Sequence, residues 1–182
     1  MKTQPSATNS SQADSQASEG RTMYQEKLYQ EGMVAGIIGA VTIAIWFLIL
    51  DTVKGRPLYT PTVLGTVLFR RREGFASLEN LPVSSEMVLM YTWVHGLVFC
   101  IIGMAASRLL ALAEQNPDYG FGILLFFVIF EVGFLAIAMA LADPVLQALA
   151  WPAVLLGNLL SAAAMGAYLL RKHPGILTKI RP

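Results

Sequence analysis

The sequence predicts an all-α integral membrane protein, a four-helix bundle with a short interfacial helix in its first connector. Three observations lead there. The chain of 182 residues is 55% hydrophobic and only 14% charged, where an ordinary soluble domain carries about a quarter charged residues. Its apolar residues fall into four long runs rather than amphipathic stripes, which suits lipid better than a water-facing core. Two of the links between those runs, "EQNPD" and "DP", are so short that the runs they join must be antiparallel neighbours.

Residues 1–31 open with "MKTQPSATNSSQADSQASEGRT". This stretch offers too little apolar area to offset the entropy of ordering it, so it is expected to be a disordered tail. It does not resemble a signal peptide, because no apolar stretch follows Lys2 until Met33. The first span, 33–51, contains "MVAGIIGAVTIAIWFLIL" and closes on Asp51. As a helix, that apolar run reaches about 27 Å, enough for the hydrocarbon core of a bilayer.

The connector that follows carries "GRPLYTP", where Gly55, Pro57 and Pro61 code for a turn. A surface helix is expected over 61–73, with Thr60 as its cap and Pro61 at its first position. Val63, Leu64, Val67 and Leu68 would form its membrane face. Arg70, Arg71 and Arg72 sit at the favourable end of the dipole, and Gly74 ends it. The remaining spans are 87–113, 119–142 and 145–170, with 32–171 forming the bundle and 172–182 a basic tail. Arg108 would snorkel from the far end of the second span.

Four spans place both termini on one side. That side carries Lys2, Arg21, Lys27, Arg108, Arg171, Lys172, Lys179 and Arg181, the other Lys54, Arg56 and Arg70 to Arg72. The excess favours cytoplasmic termini.

Small residues recur at four-residue spacing: Gly32 with Gly36, Gly36 with Ala40, Gly103 with Ser107, and Gly157 with Ser161. Such spacing lets helix backbones approach closely, either within the bundle or against another subunit. The polar exceptions inside the spans are few. Glu131 lies mid-span, where a carboxylate must face protein or water. Counted from the Asp143-Pro144 break, its depth differs from that of Asn158 by only about 3 Å, which makes Asn158 its first-choice partner and His95 the second. Tyr91, Thr92 and His95 share one face of the second span.

His95 admits three readings besides a hydrogen-bonded structural histidine. It could ligate a haem or a (bacterio)chlorophyll, the latter needing only one axial ligand. It could join Glu131 and Asn158 in a proton path. It could bind metal, but one His, one Glu and Cys100 on separate turns lack ligand spacing, so no metal site is expected. Cys100, the sole cysteine, excludes an intrachain disulfide. The net charge of +1 gives no case for nucleic acid. No hydrolase elbow, phosphate loop, catalytic carboxylate pair or CxxC appears, so the chain is not expected to be an enzyme, and no cofactor is required.

"GRPLYTPTVLG" followed by "YTWVHGLVFCIIG" resembles a loose group of uncharacterised bacterial membrane proteins of similar size. That resemblance implies four spans in a bacterial inner membrane and brings no activity with it. The functional expectation is an accessory subunit that packs, in the lipid bilayer, against other membrane subunits of an energy-transducing complex, respiratory or photosynthetic. The alternatives are a small transporter or proton-handling protein working through Glu131, and a pigment- or haem-binding subunit using His95.

Overall fold

A computed structural model describes residues 7–70, 81–116 and 151–173. The described residues form four helices: α1 (Ala7–Val53), α2 (Tyr59–Arg70), α3 (Ser85–Gln115) and α4 (Trp151–Lys172). There are no strands among them. Helices α1, α3 and α4 are long and apolar enough to cross a membrane. The third expected span, 119–142, and the Arg71–Arg72 part of the arginine cluster lie outside the described residues, as do 145–150 of the fourth span and 174–182 of the basic tail.

The burial pattern is compatible with a protein solvated by lipid. Large apolar side chains cover the outside of the three long helices: Val41, Ile45 and Ile49 on α1, Leu89, Trp93 and Leu97 on α3, and Leu155 and Leu159 on α4 are all exposed. Trp93 is 76% exposed, which in water would be a large apolar patch and in a bilayer is an ordinary lipid contact. Meanwhile Thr62, Ser107 and Ser161 are buried. Charged residues, and on α4 Pro152 at one end, bracket the apolar bands at consistent spacing. Glu31 to Asp51 on α1, Glu86 to Arg108 on α3, and Pro152 to Arg171 on α4 each cover about 30 Å of helix axis, the thickness of the hydrocarbon core.

Helix α1 departs from the expected tail. It is one continuous helix of 47 residues, about 70 Å long, and it begins at Ala7 rather than near Met33. Burial was the wrong criterion for this stretch. No proline stands between Pro5 and Pro57, and Ala, Gln, Glu, Lys and Met are good helix formers. With the span already helical, extension from it needs no new nucleus. Side chains from Gln16 to Lys27 are exposed, while Leu28 is buried and Gly32 meets α3. The bundle therefore starts about a turn earlier than the expected boundary.

The end of α1 is a Schellman motif. The Gly55 N–H donates to Thr52 O at 2.9 Å and the Arg56 N–H to Asp51 O at 2.9 Å, with Gly55 at φ 72°. Leu58, at φ 65°, completes the reversal. Helix α2 then begins at Tyr59, and its cap is Asp51 rather than Thr60. The Asp51 carboxylate accepts from the Thr60 N–H at 2.7 Å and from the Thr60 hydroxyl at 2.8 Å. It is 3% exposed and sits where a helix N-terminus favours negative charge.

Helix α2 packs against its neighbours through a largely polar face. Its buried residues are Tyr59, Thr60, Thr62, Val63, Gly65 and Thr66, whereas Leu68 is 48% exposed. Threonine tolerates burial here because its hydroxyl bonds its own helix: Thr62 donates to Leu58 O and Thr66 to Thr62 O, each at 2.8 Å. Tyr59 and Val63 form a small core with Phe47 and Val154 around them, and Gly65 admits the Met87 backbone of α3.

Helix α3 begins at a Ser84 cap, with Glu86 in its first turn. It runs antiparallel to α1, since Ser107 meets Leu28 and His95 meets Ala40. Helix α4 is antiparallel to α1 as well, since Trp46 meets Ala153 and Glu31 meets His173. Helices α3 and α4 are thus parallel to each other. One ends, and the other begins, on opposite sides of the bundle.

Candidate functional site: a glycine seam and its polar ties

The contact between α1 and α3 is built from residues four apart on both helices. Leu28, Gly32, Gly36 and Ala40 face Ser107, Gly103, Phe99 and His95 in that order. The approach is backbone to backbone. A Cβ at Gly32 would stand 2.6 Å from Met104 Cα, and one at Gly36 would stand 2.7 Å from Cys100 Cα. One at Gly103 would stand 2.8 Å from Gly36 Cα. Only a residue lacking a side chain fits such a gap, which is how helices gain contact area where lipid supplies no hydrophobic drive between them.

A second small-residue face holds α4. Gly39, which the four-residue spacing had not singled out, leaves room for Ser161 and Met165, and Gly157 leaves room for the Trp46 ring. The expected small residues on α1, α3 and α4 are thus brought together inside one chain.

Close backbones put carbonyl oxygens within reach of neighbouring side chains. Ser107 Oγ donates to Leu28 O at 3.0 Å, and Trp46 Nε1 donates to Ala153 O at 2.9 Å. His95 does the same on the α1–α3 seam, its Nε2 lying 3.3 Å from Ala40 O. A carbonyl only accepts, so this contact assigns the ring proton to Nε2. The Tyr91 hydroxyl then approaches Nδ1 at 3.5 Å, a long contact supported by ring stacking at 5.4 Å between centroids. Phe99 covers the other side at 4.7 Å. Both ring nitrogens of His95 thus have a polar neighbour within the bundle.

Asn158 is half-buried beside Gly157 on α4, with no hydrogen-bond partner among the described residues. Glu131, its expected partner, lies outside the described residues. His95 and Tyr91 are paired with each other and Ala40 rather than with Asn158. Among the described residues no group of three His, Cys, Asp or Glu side chains has the arrangement to hold a metal ion.

A polar cluster not foreseen from the sequence closes one end of the bundle. His173, at the end of α4, places Nε2 3.2 Å from Glu31 of α1 and Nδ1 3.1 Å from Glu114 of α3. The Glu31 and His173 side chains are 13% and 12% exposed, so this is a tie across three helices rather than a loose surface pair. Its signal in the sequence was topological: all three residues flank span ends that share a side. Comparison with known proteins adds nothing to these contacts, because no family model, no curated protein and no solved structure matches the chain.

Proposed function

We propose that this chain is a non-enzymatic packing subunit of a larger membrane assembly. The observation that carries the reading is α1. Ahead of Glu31 it continues for about 36 Å outside the apolar band, with exposed side chains from Gln16 to Lys27. A rigid helical arm joined without a break to a membrane span is suited to engaging a neighbouring subunit outside the lipid. The interior supports the same reading. The donors of His95, Ser107 and Trp46 end on carbonyls of adjacent helices, so these polar groups bind the bundle together instead of lining a path.

The proposal extends to topology. Helix α3 ends on the side where α4 also ends, so the chain must change sides between Asn116 and Trp151. The apolar run Tyr119–Ala142 is the stretch suited to that crossing, giving four spans with both termini on the cytoplasmic side of a bacterial inner membrane.

Co-purification in mild detergent tests the reading. The full chain should bring down stoichiometric membrane partners identifiable by mass spectrometry. A deletion of residues 7–27, which spares the seam from Leu28 onward, should lose them while remaining folded. Recovery of the full chain as a free monomer from native membranes, with no partner at any detergent strength, would overturn it.

A further inference from the structure

A groove of about 510 Å³ lies between the projecting part of α1 and the end of α3. Its walls include Arg21, Tyr24 and Gln25 from α1 and Arg108 and Leu112 from α3, with Leu28 at its floor. Two features set it apart from an ordinary basic surface. First, no carboxylate is among the described residues that line it. The acids nearest this end, Glu31 and Glu114, are turned to His173, while Glu19 and Glu26 of α1 lie off the groove. Second, Arg108 has an aromatic neighbour. Its guanidinium lies over the Tyr29 ring at 4.6 Å from the centroid and donates to the Tyr29 hydroxyl. A planar guanidinium has further N–H groups to offer, and its fork matches phosphate oxygens.

Depth decides what kind of phosphate. Arg108 sits level with Leu28 and Tyr29, about 5 Å outside Glu31 on α1. That is the headgroup layer just beyond the hydrocarbon edge. Arg21 lies about 10 Å farther out on the same groove, Ala111 and Leu112 stand between the two cations in depth, and Leu28 is level with Arg108. We propose that this groove binds an anionic phospholipid, its phosphate between Arg21 and Arg108 beside Leu112 and the upper part of an acyl chain running inward past Leu28. The inference is independent of the packing-subunit reading and requires only that α1 and α3 span a bilayer.

The test is native mass spectrometry of the full chain in mild detergent, titrated with phosphatidylglycerol, with phosphatidylcholine, and with inorganic phosphate alone. The wild-type chain should retain phosphatidylglycerol in preference to phosphatidylcholine, and inorganic phosphate at millimolar concentration should leave that lipid bound. Arg21→Gln and Arg108→Gln should each weaken phosphatidylglycerol binding by about fivefold, the effect of one basic residue at an anionic membrane surface. Arg21 is exposed on the projecting helix, so its replacement tests the site without disturbing the seam, whatever Arg108→Gln does to Tyr29. Arg171→Gln and Lys172→Gln, which remove charge from the same side but outside the groove, should leave binding unchanged. Equal losses in all four variants would show diffuse charge attraction, displacement by inorganic phosphate would show a free-phosphate site, and no preference between the two lipids would show no site. Each of these overturns the proposal.

Discussion

At the scale of single residues, the seam makes sharp and opposite predictions for glycines that look alike in sequence. Gly36 and Gly103 meet backbone atoms that cannot rotate away. Gly36→Ala or Gly103→Ala should therefore cost about 2 kcal/mol or more in reversible unfolding in detergent, at the upper end of overpacking costs. Gly96, also on α3, has nothing within 4 Å of an added Cβ. Gly96→Ala should be neutral or stabilise by up to about 1 kcal/mol through helix propensity. His95→Phe, measured the same way, should cost about 1 kcal/mol, the upper part of the range found for hydrogen bonds between membrane helices. The four-residue spacing of Gly32, Gly36, Gly103 and Ser107 was legible in the sequence because small side chains in a lipid-soluble helix have few other uses. That His95 belongs to the same seam was not legible. Its role depends on the carbonyl opposite it, Ala40 O, and no spacing rule within α3 names a partner on α1.

At the scale of elements, α1 and α2 show where patterning reaches its limit. Burial predicts order for residues that gain contacts, but it says nothing of a stretch that inherits helix from its neighbour, which is why α1 runs back to Ala7. In α2, counting aliphatic residues picked out a membrane face of Val63, Leu64, Val67 and Leu68 but not the face that meets the rest of the bundle. That face buries Thr62 and Thr66, whose hydroxyls are satisfied within their own helix. The docking of α2 rests on Asp51, which accepts both Thr60 donors from a position nine residues earlier. Asp51→Ala should cost about 1–2 kcal/mol, as for loss of a helix cap, and should raise amide hydrogen exchange in the first turn of α2. Asp51→Asn, which keeps one acceptor oxygen, should recover part of that protection.

At the scale of the whole molecule, the antiparallel pairing of α1 with both α3 and α4 fixes sidedness. In a Cys100→Ser background, Lys54→Cys and Lys172→Cys should react with a membrane-impermeant maleimide from opposite faces of sealed vesicles, and Ser18→Cys should react from the face that exposes Lys172→Cys. Labelling of Lys54→Cys and Lys172→Cys from the same face would contradict the arrangement. The three apolar helices among the described residues were legible from run length alone, because hydrocarbon thickness sets it. Which helices touch was not, because that is set by where glycines on different spans coincide in depth. The unbroken passage of α1 from lipid into water has a mechanical consequence. With no hinge at Glu31, the segment from Ala7 behaves as a lever whose fulcrum is the glycine contact. For an arm of about 36 Å, a tilt of about 10° at the span sweeps the tip through roughly 6 Å, so small adjustments of bilayer thickness become large displacements at whatever the arm touches.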